Sequence, residues 1–129
     1  MSFVADTDVL IDFLRGRGDG AERIAYELKT GRLCTTSISA FELWAGAKSS
    51  QESEAVETLL KAVSVIPLDA GAAREAGGVR QMLDSKGATI GMADSLIAGI
   101  CLHRDAILIT RNKKHFSRVP RIKLSGEQG

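Results

Sequence analysis

Three acidic residues stand in apolar surroundings at widely separated places along the sequence. Asp6 ends a short strand-like segment at residues 2–5, and Glu42 lies inside an apolar helical stretch at 37–46. Asp94 lies inside a similar stretch at 90–99. Carboxylates are unfavourable in such surroundings unless something compensates their charge. Three of them in a chain of 129 residues indicate a divalent cation held by oxygen ligands, with phosphate chemistry as its purpose.

Each of these carboxylates also has a purely structural interpretation. Asp6 could be the N-cap of the following helix, although Thr7 could cap that helix equally well. Glu42 could be a surface glutamate, yet both of its neighbours are apolar. Asp94 falls in the first turn of a helix, where the macrodipole favours an anion by only about 0.3–1 kcal/mol. Metal ligation is the preferred interpretation for all three.

Other polar and aromatic residues receive structural interpretations. Asp8 and Asp12 lie one helical turn apart and are expected to form an exposed acidic edge. His103 and His115 have no partner at metal-ligand spacing and are expected at the surface or in structural roles. Trp44, the only tryptophan, is expected in the core.

Composition is that of an ordinary globular protein, with 44% hydrophobic and 26% charged residues. The length predicts a single domain over residues 1–129. No apolar run approaches the ~18 residues that span a bilayer, and no signal peptide is recognisable, so a cytoplasmic protein is expected. Cys34 and Cys101 have no CxxC or Cys/His cluster beside them and are expected to be buried free thiols.

The distribution of charge is more informative than its total. Seventeen basic and 16 acidic residues give a net charge of +1, but the chain from His103 onward carries seven Lys or Arg against two acidic residues. A basic tail beside an acidic metal site suits a polyanionic substrate held by its backbone. A solvated surface is the alternative, and the sequence leaves both open.

The order of elements predicts how the acidic residues meet. Strand-like segments at 2–6, 33–36, 65–68 and 106–110 alternate with helical segments, which predicts a parallel sheet flanked by helices. Ligands bind beyond the carboxyl ends of the strands in such folds. Asp6 ends the first strand, Asn112 lies just past the last, and Glu42 and Asp94 sit early in helices. We therefore expect these side chains to converge.

Two families with an aspartate after the first strand do not fit. Phosphatases of the haloacid dehalogenase kind need one more residue before the Thr/Val-Leu pair and a downstream acidic pair. A phosphoacceptor receiver domain needs adjacent acids after the first strand and an aspartate near the middle. No aspartate occurs between Asp19 and Asp69.

Four segments, in order, carry a closer resemblance. They are DTDVLI at 6–11, SISAFELWAG at 37–46, IGMADSLIA at 90–98 and TRNKKHF at 110–116. With these segments the chain resembles the PIN-domain nucleases, and within them the VapC-like toxins of bacterial toxin–antitoxin pairs. Each segment alone is a weak signal, whereas four with fitting spacings over nearly the full length are a strong one.

The resemblance implies a three-layer α/β/α fold with a central, mostly parallel sheet of four or five strands. It implies a metal-dependent endoribonuclease that hydrolyses RNA, either tRNA or rRNA, and so arrests translation and growth. A cognate VapB-like antitoxin would neutralise it, and a homodimer that forms a heterotetramer or larger assembly with the antitoxin is expected. A housekeeping PIN nuclease in RNA maturation and a non-catalytic RNA-binding module are the alternatives.

The resemblance also assigns roles to residues of this chain. Asp6, Glu42 and Asp94 would form the acidic cluster that holds Mg²⁺ or Mn²⁺. Many PIN nucleases have a fourth acid where this chain has Asn112, whose amide oxygen offers a ligand but no charge. The following basic residues would contact the RNA backbone: Arg111, Lys113 and Lys114.

Overall fold

The computed structural model describes residues 2–126, which form a five-stranded sheet between two layers of helices. The strands are β1 (Phe3–Ala5), β2 (Leu33–Thr36), β3 (Ser64–Ile66), β4 (Ile107–Ile109) and β5 (Lys123–Leu124). Their order in the sheet is β3-β2-β1-β4-β5, and every neighbouring pair is parallel. The predicted α/β fold with a parallel sheet is confirmed. Residues 1 and 127–129 of the predicted domain 1–129 lie outside the described part.

Helices connect the strands and cover both faces of the sheet. They are α1 (Thr7–Arg15), α2 (Asp19–Thr30), α3 (Ser37–Gly46), α4 (Ser50–Ala62), α5 (Ala70–Ser85), α6 (Met92–Arg104) and α7 (Lys113–Phe116). None of the helices in residues 2–126 has the length and apolar character needed to cross a membrane.

Alternation along the strands creates two separate hydrophobic cores. Val4 and Leu108 point to one face of the sheet, where they pack with residues of α5 and α6. Ala5 and Ile109 point to the opposite face, where they pack with residues of α1 to α4. Successive side chains of a strand face opposite sides, so a strand covered on both sides is apolar throughout. This explains the unbroken apolar run of β4.

The contact between α5 and α6 is unusually close. Gly99 of α6 lies against α5 so tightly that a Cβ built on it would stand 2.7 Å from the Ala72 carbonyl oxygen and 2.6 Å from the Ala76 nitrogen. Both are backbone atoms, which cannot swing aside like a side chain. Because Gly99 has no side chain, α6, the helix that carries Asp94, can pack directly against the backbone of α5.

Some details differ from the sequence-based expectations. Trp44 is 46% exposed, so its placement in the core was wrong, because α3 turns Leu43 inward and Trp44 outward. Cys101 is buried as expected, whereas Cys34 is only half-buried, and both are free thiols. The strand β5 was not foreseen, because two residues carry no detectable periodicity.

Candidate active site

The predicted acidic residues meet at the carboxyl-terminal edge of the sheet. Asp6 directly follows β1, Glu42 lies in α3 after β2, and Asp94 lies in the first turn of α6. Burial raises the pKa of Asp94, and repulsion from Glu42 and Asp8 raises it further. Four carboxylates from three helical segments are thus close enough to influence one another electrostatically.

Asp6 is both a helix cap and the most buried of the site carboxylates. Its Oδ1 accepts a 2.8 Å hydrogen bond from the Thr7 backbone N–H, which makes it the N-cap of α1. Its Oδ2 accepts a 2.7 Å hydrogen bond from the Thr110 hydroxyl. Burial raises its pKa to about 6, with repulsion from Asp8 and Asp94 adding to the effect and the Thr110 bond opposing it. The carboxylate is therefore held in place by neutral donors that leave its charge uncompensated.

Glu42 is oriented by a chain of hydroxyl groups. The Thr7 hydroxyl donates a 2.5 Å hydrogen bond to Glu42 Oε1, and the Ser39 hydroxyl lies 2.9 Å from the Thr7 oxygen. A hydroxyl has a single proton, so Thr7 gives its proton to the carboxylate and can accept one from Ser39. Ser39 is fully buried, so the hydroxyl at the start of this series of hydrogen bonds is held in place.

Asn112 links Asp94 to a histidine that was expected outside the site. The Asn112 Nδ2 donates a 3.3 Å hydrogen bond to Asp94 Oδ2 and lies 3.0 Å from His115 Nδ1. His115 Nδ1 is itself 3.9 Å from the same Asp94 oxygen. With the amide nitrogen turned toward both neighbours, the Asn112 carbonyl oxygen is the atom left to bind a ligand or water.

Asp8 does not form the exposed acidic edge that was predicted for it with Asp12. Its Oδ2 accepts a 3.1 Å hydrogen bond from the Arg111 backbone N–H, while its Oδ1 is buried without a hydrogen-bond partner among residues 2–126. Burial raises the pKa of Asp8, against the lowering effect of Arg111. The placement of Asp8 in the first turn of α1, beside the Asp6 cap, was the signal that could have revealed it.

The basic residues around Asn112 are not equivalent. The Arg111 guanidinium binds Asp12 through contacts of 2.7 Å and 3.2 Å, so its charge is already engaged. Lys113 and Lys114 are exposed on α7, and neither forms an ion pair within the described part of the chain. The two lysines are therefore the side chains available at this rim to contact an anion.

The donor set fits a hard divalent cation. Carboxylate and amide oxygens are the ligands that Mg²⁺ and Mn²⁺ take in proteins, and the buried Asp8 Oδ1 has no hydrogen-bond partner among residues 2–126. Within the same residues, no three His, Cys, Asp or Glu side chains form a ready-made metal cluster. Mg²⁺ keeps several of its waters in proteins, so a cation of this kind would not need such a cluster.

Known proteins similar to this chain share its full extent. Residues 3–122 match the family described as PIN domain. The chain is 31% identical over 128 residues to the tRNA(fMet)-specific endonuclease VapC of Salmonella typhimurium, with 96% of each chain covered. It is 33% identical over 124 residues to Ribonuclease VapC1 of Haemophilus influenzae, with 92% of each chain covered.

Solved structures extend the similarity to three dimensions. The crystal structure of VapBC2 from Rickettsia felis, bound to a DNA fragment from its promoter, aligns with a TM-score of 0.87 and 26% identity over 99% of this chain and 100% of that chain. The DNA-bound VapBC from Salmonella typhimurium aligns with a TM-score of 0.85 and 31% identity over 97% of both chains. The similarity therefore includes every element that carries a site residue.

Proposed function

The chain belongs to the PIN domain family, and we propose that it is a metal-dependent endoribonuclease and the toxin of a toxin–antitoxin pair. The observation that carries this proposal is the meeting of Asp6, Glu42 and Asp94 at one edge of the sheet, where burial raises the pKa of Asp6 to about 6 and also raises the pKa of Asp94. The names of its relatives, an endonuclease and a ribonuclease, support the same activity.

The side chains divide the work of hydrolysing a phosphodiester bond. Asp6 and Asp94 would hold Mg²⁺ or Mn²⁺, directly or through its waters, and the Asn112 carbonyl oxygen would add a neutral ligand. Such a metal would neutralise charge on the phosphoryl oxygens and lower the pKa of a coordinated water. Glu42, oriented by Thr7, accepts a hydrogen bond from the attacking water and so sets its direction. The water oxygen bonds to phosphorus, the bond from phosphorus to the 3′-oxygen breaks, and the 3′-oxygen takes a proton from solvent, which leaves a 5′-phosphate and a 3′-hydroxyl.

The chemical groups at the ends of the RNA products can be inferred from the positions of the two histidines. A route through the RNA 2′-hydroxyl commonly uses two acid–base groups on opposite sides of the phosphate. The chain has two histidines, and only His115 is at the site, because His103 faces Asp69 at 3.6 Å. Hydrolysis by an activated water is therefore the route that these residues support.

The substrate and the partner are inferred from the relatives. Salmonella VapC is named as specific for tRNA(fMet), which favours tRNA over rRNA as the RNA that this chain cleaves. Lys113 and Lys114 contact its backbone, with Arg111 beside them, and such contacts position an RNA without reading its bases. The similar structures are VapBC complexes, which supports a VapB-like antitoxin as the partner of this chain. We infer that this antitoxin covers the site of a homodimeric toxin in a heterotetramer or larger assembly.

The deciding experiment is the cleavage of total cellular RNA by purified, antitoxin-free protein in Mg²⁺, Mn²⁺ or EDTA, with the product ends sequenced. Asp94→Asn removes one site charge, and Asp84→Asn is the matched control, because Asp84 lies exposed on α5 in an ion pair with Arg80. Metal-dependent cuts that are lost only in Asp94→Asn support the proposal. Absence of cleavage from the folded protein in every metal overturns it in favour of an RNA-binding module.

A second experiment separates a toxin from a housekeeping nuclease. The chain is expressed alone and together with the product of the small adjacent gene, and growth is followed. Growth arrest that the second product relieves supports the toxin. Unimpaired growth with active nuclease supports a role in RNA maturation.

A further inference from the structure

One carboxylate at the site has no part in the roles assigned above. Asp8 is the second residue of α1, two residues after Asp6, and its carboxylate lies beside that of Asp6 at the Thr110 hydroxyl. Its Oδ1 is buried and has no hydrogen-bond donor within residues 2–126. A buried carboxylate oxygen that lacks a donor is unfavourable unless a ligand provides positive charge.

A structural role does not account for the charge of Asp8. The one hydrogen bond that its Oδ2 accepts at 3.1 Å, from the Arg111 backbone N–H, could equally be accepted by an asparagine oxygen. The guanidinium of Arg111 takes its two contacts from Asp12, one turn further along α1. The loop after β4 is thus held by Asp12 and by the hydrogen bond from the Arg111 backbone to Asp8. The Arg111 guanidinium attracts Asp8 electrostatically, but within residues 2–126 it forms its ion pair with Asp12 and none with Asp8.

The position of Asp8 complements that of Asn112. The Thr110 hydroxyl lies 2.7 Å from Asp6 Oδ2 and 3.4 Å from Asp8 Oδ2, so the two carboxylates flank one hydroxyl. On the other side of the same loop, Asn112 reaches Asp94 with an uncharged amide. A fourth negative charge is therefore present at this edge of the sheet, but α1 provides it and the loop after β4 does not.

We propose that Asp8 is a fourth acidic residue of the metal site, whose charge binds the divalent cation that Asp6, Glu42 and Asp94 also face. This inference rests on the proposed function, because it takes the metal site as given. It concerns the source of the fourth charge, which the motif shared with other nucleases does not assign to this position.

The test is calorimetric titration of the metal-free protein with Mn²⁺ alone, without RNA. The unchanged protein is compared with Asp8→Asn, which keeps the shape and the acceptor for Arg111 but removes the charge. Asp84→Asn is the control, because Asp84 lies exposed on α5 in an ion pair with Arg80, and Asp94→Asn reports on the metal site itself. Thermal unfolding of each protein in EDTA and in Mn²⁺ is measured alongside.

We expect Asp8→Asn to weaken Mn²⁺ binding at least tenfold, in the range found when a residue that supports a metal site is lost. Its unfolding temperature in EDTA stays equal or rises, because one buried like charge is gone, and the increase on adding Mn²⁺ becomes smaller. Asp84→Asn binds Mn²⁺ as the unchanged protein does. A further variant, Asp8→Asn with Asn112→Asp, returns the charge from the opposite side and recovers most of the affinity.

Two results would overturn the inference. If Asp8→Asn binds Mn²⁺ with unchanged affinity, or if its only effect is a lower unfolding temperature in EDTA, the residue is structural. Asp8→Ser, titrated in the same way, decides the question should Asp8→Asn fail to fold. Failure of the proposed function looks different, because the unchanged protein would then bind no Mn²⁺, or Asp94→Asn would bind it equally well.

Discussion

The Thr7 hydroxyl lies 2.5 Å from the Glu42 carboxylate, although 35 positions separate the two residues in the chain. The parallel pairing of β1 with β2 brings them together, because it starts α1 and α3 at the same edge of the sheet. Thr7 also donates its backbone N–H to Asp6. One residue therefore positions two carboxylates of the site, through its backbone and through its side chain.

Thr7→Val tests this arrangement. Valine has nearly the same shape but no hydroxyl, so Glu42 loses its donor while Asp6 keeps its backbone bond. We expect RNA cleavage to fall about tenfold and the free energy of unfolding to drop by about 1 kcal/mol, the net contribution of one hydrogen bond. Single-turnover cleavage and urea unfolding measure the two effects. Thr7→Ser retains the hydroxyl and should retain most of the activity; equal losses in both variants would contradict the explanation.

Asp6→Asn changes how stability depends on pH. The pKa of Asp6 is about 6 in the folded protein against an ordinary value of 3.8. The folded state therefore holds this proton more tightly, and the stabilisation is present below pH 4 and lost as the pH rises through 6. In EDTA, Asp6→Asn should be more stable than the unchanged protein at pH 7.5, by on the order of 2–3 kcal/mol, and equal to it near pH 4. If the difference in stability between the two proteins is the same at pH 4 and at pH 7.5, the pKa of Asp6 is not raised.

Metal binding and protonation compete for the same carboxylates. The raised pKa values of Asp6, Asp8 and Asp94 predict that cleavage declines as the pH falls below about 6, because protonated acids cannot bind the cation. Raising the Mn²⁺ concentration should move the midpoint of this decline to lower pH. Cleavage rates at several concentrations across pH 4.5–8 give the midpoints. If the midpoint of the decline at low pH does not change with Mn²⁺ concentration, a group outside the metal site controls the decline.

Gly99→Ala should destabilise the protein strongly. The added methyl group would meet backbone atoms of α5 at less than van der Waals distance, and overpacking of this kind costs about 1–3 kcal/mol. Gly77→Ala is the matched control, because a methyl group there meets no atom within 4 Å and alanine favours the helix by about 0.5–1 kcal/mol. Chemical unfolding of both variants measures the difference. Similar stabilities would show that α5 and α6 separate easily.

Lys113→Ala and Lys114→Ala should weaken RNA binding without altering the metal site. Each lysine that contacts a phosphate adds about 0.7 to the slope of log K against log salt for a single strand. Binding of a catalytically inactive Asp94→Asn protein to RNA, measured over a salt series, should therefore give a shallower slope in each variant. Lys61→Ala on α4, where the lysine pairs with Glu57, should leave the slope unchanged. If Lys113→Ala and Lys114→Ala also leave the slope unchanged, the two lysines do not contact the RNA.

The sequence was sufficient to predict the sheet and the three acidic residues that carry the proposal. Asp6, Glu42 and Asp94 each stand among apolar residues, and a carboxylate in that setting can be recognised from its neighbours alone. The parallel pairing followed from the alternation of elements, whereas the strand order was not predicted and β5 was not located. These features depend on local patterns, which a sequence displays directly.

The expectation for Asp8 was wrong, and the contact of His115 with the site was not predicted, because the surroundings of both residues come from distant parts of the chain. The spacing of Asp8 and Asp12 is that of an exposed helical face. The nearness of Asp8 to Asp6 was a local signal, but only the fold brings the backbone N–H of Arg111, 103 residues away, to the Asp8 carboxylate. His115 lacks a partner in sequence but meets Asp94 through Asn112. Long-range contacts of this kind become visible only in the folded chain.

The hydrogen bond from Thr110 to Asp6 joins residues 104 positions apart, near the two ends of the chain. During synthesis, Asp6 leaves the ribosome about a hundred residues before Thr110 does. Until the segment that carries Thr110 has emerged, the nascent chain contains Asp6, Glu42 and Asp94 without the hydroxyl that orders the Asp6 carboxylate. The acidic centre can therefore assemble only late in translation of residues 6–110, however early its first carboxylate is made.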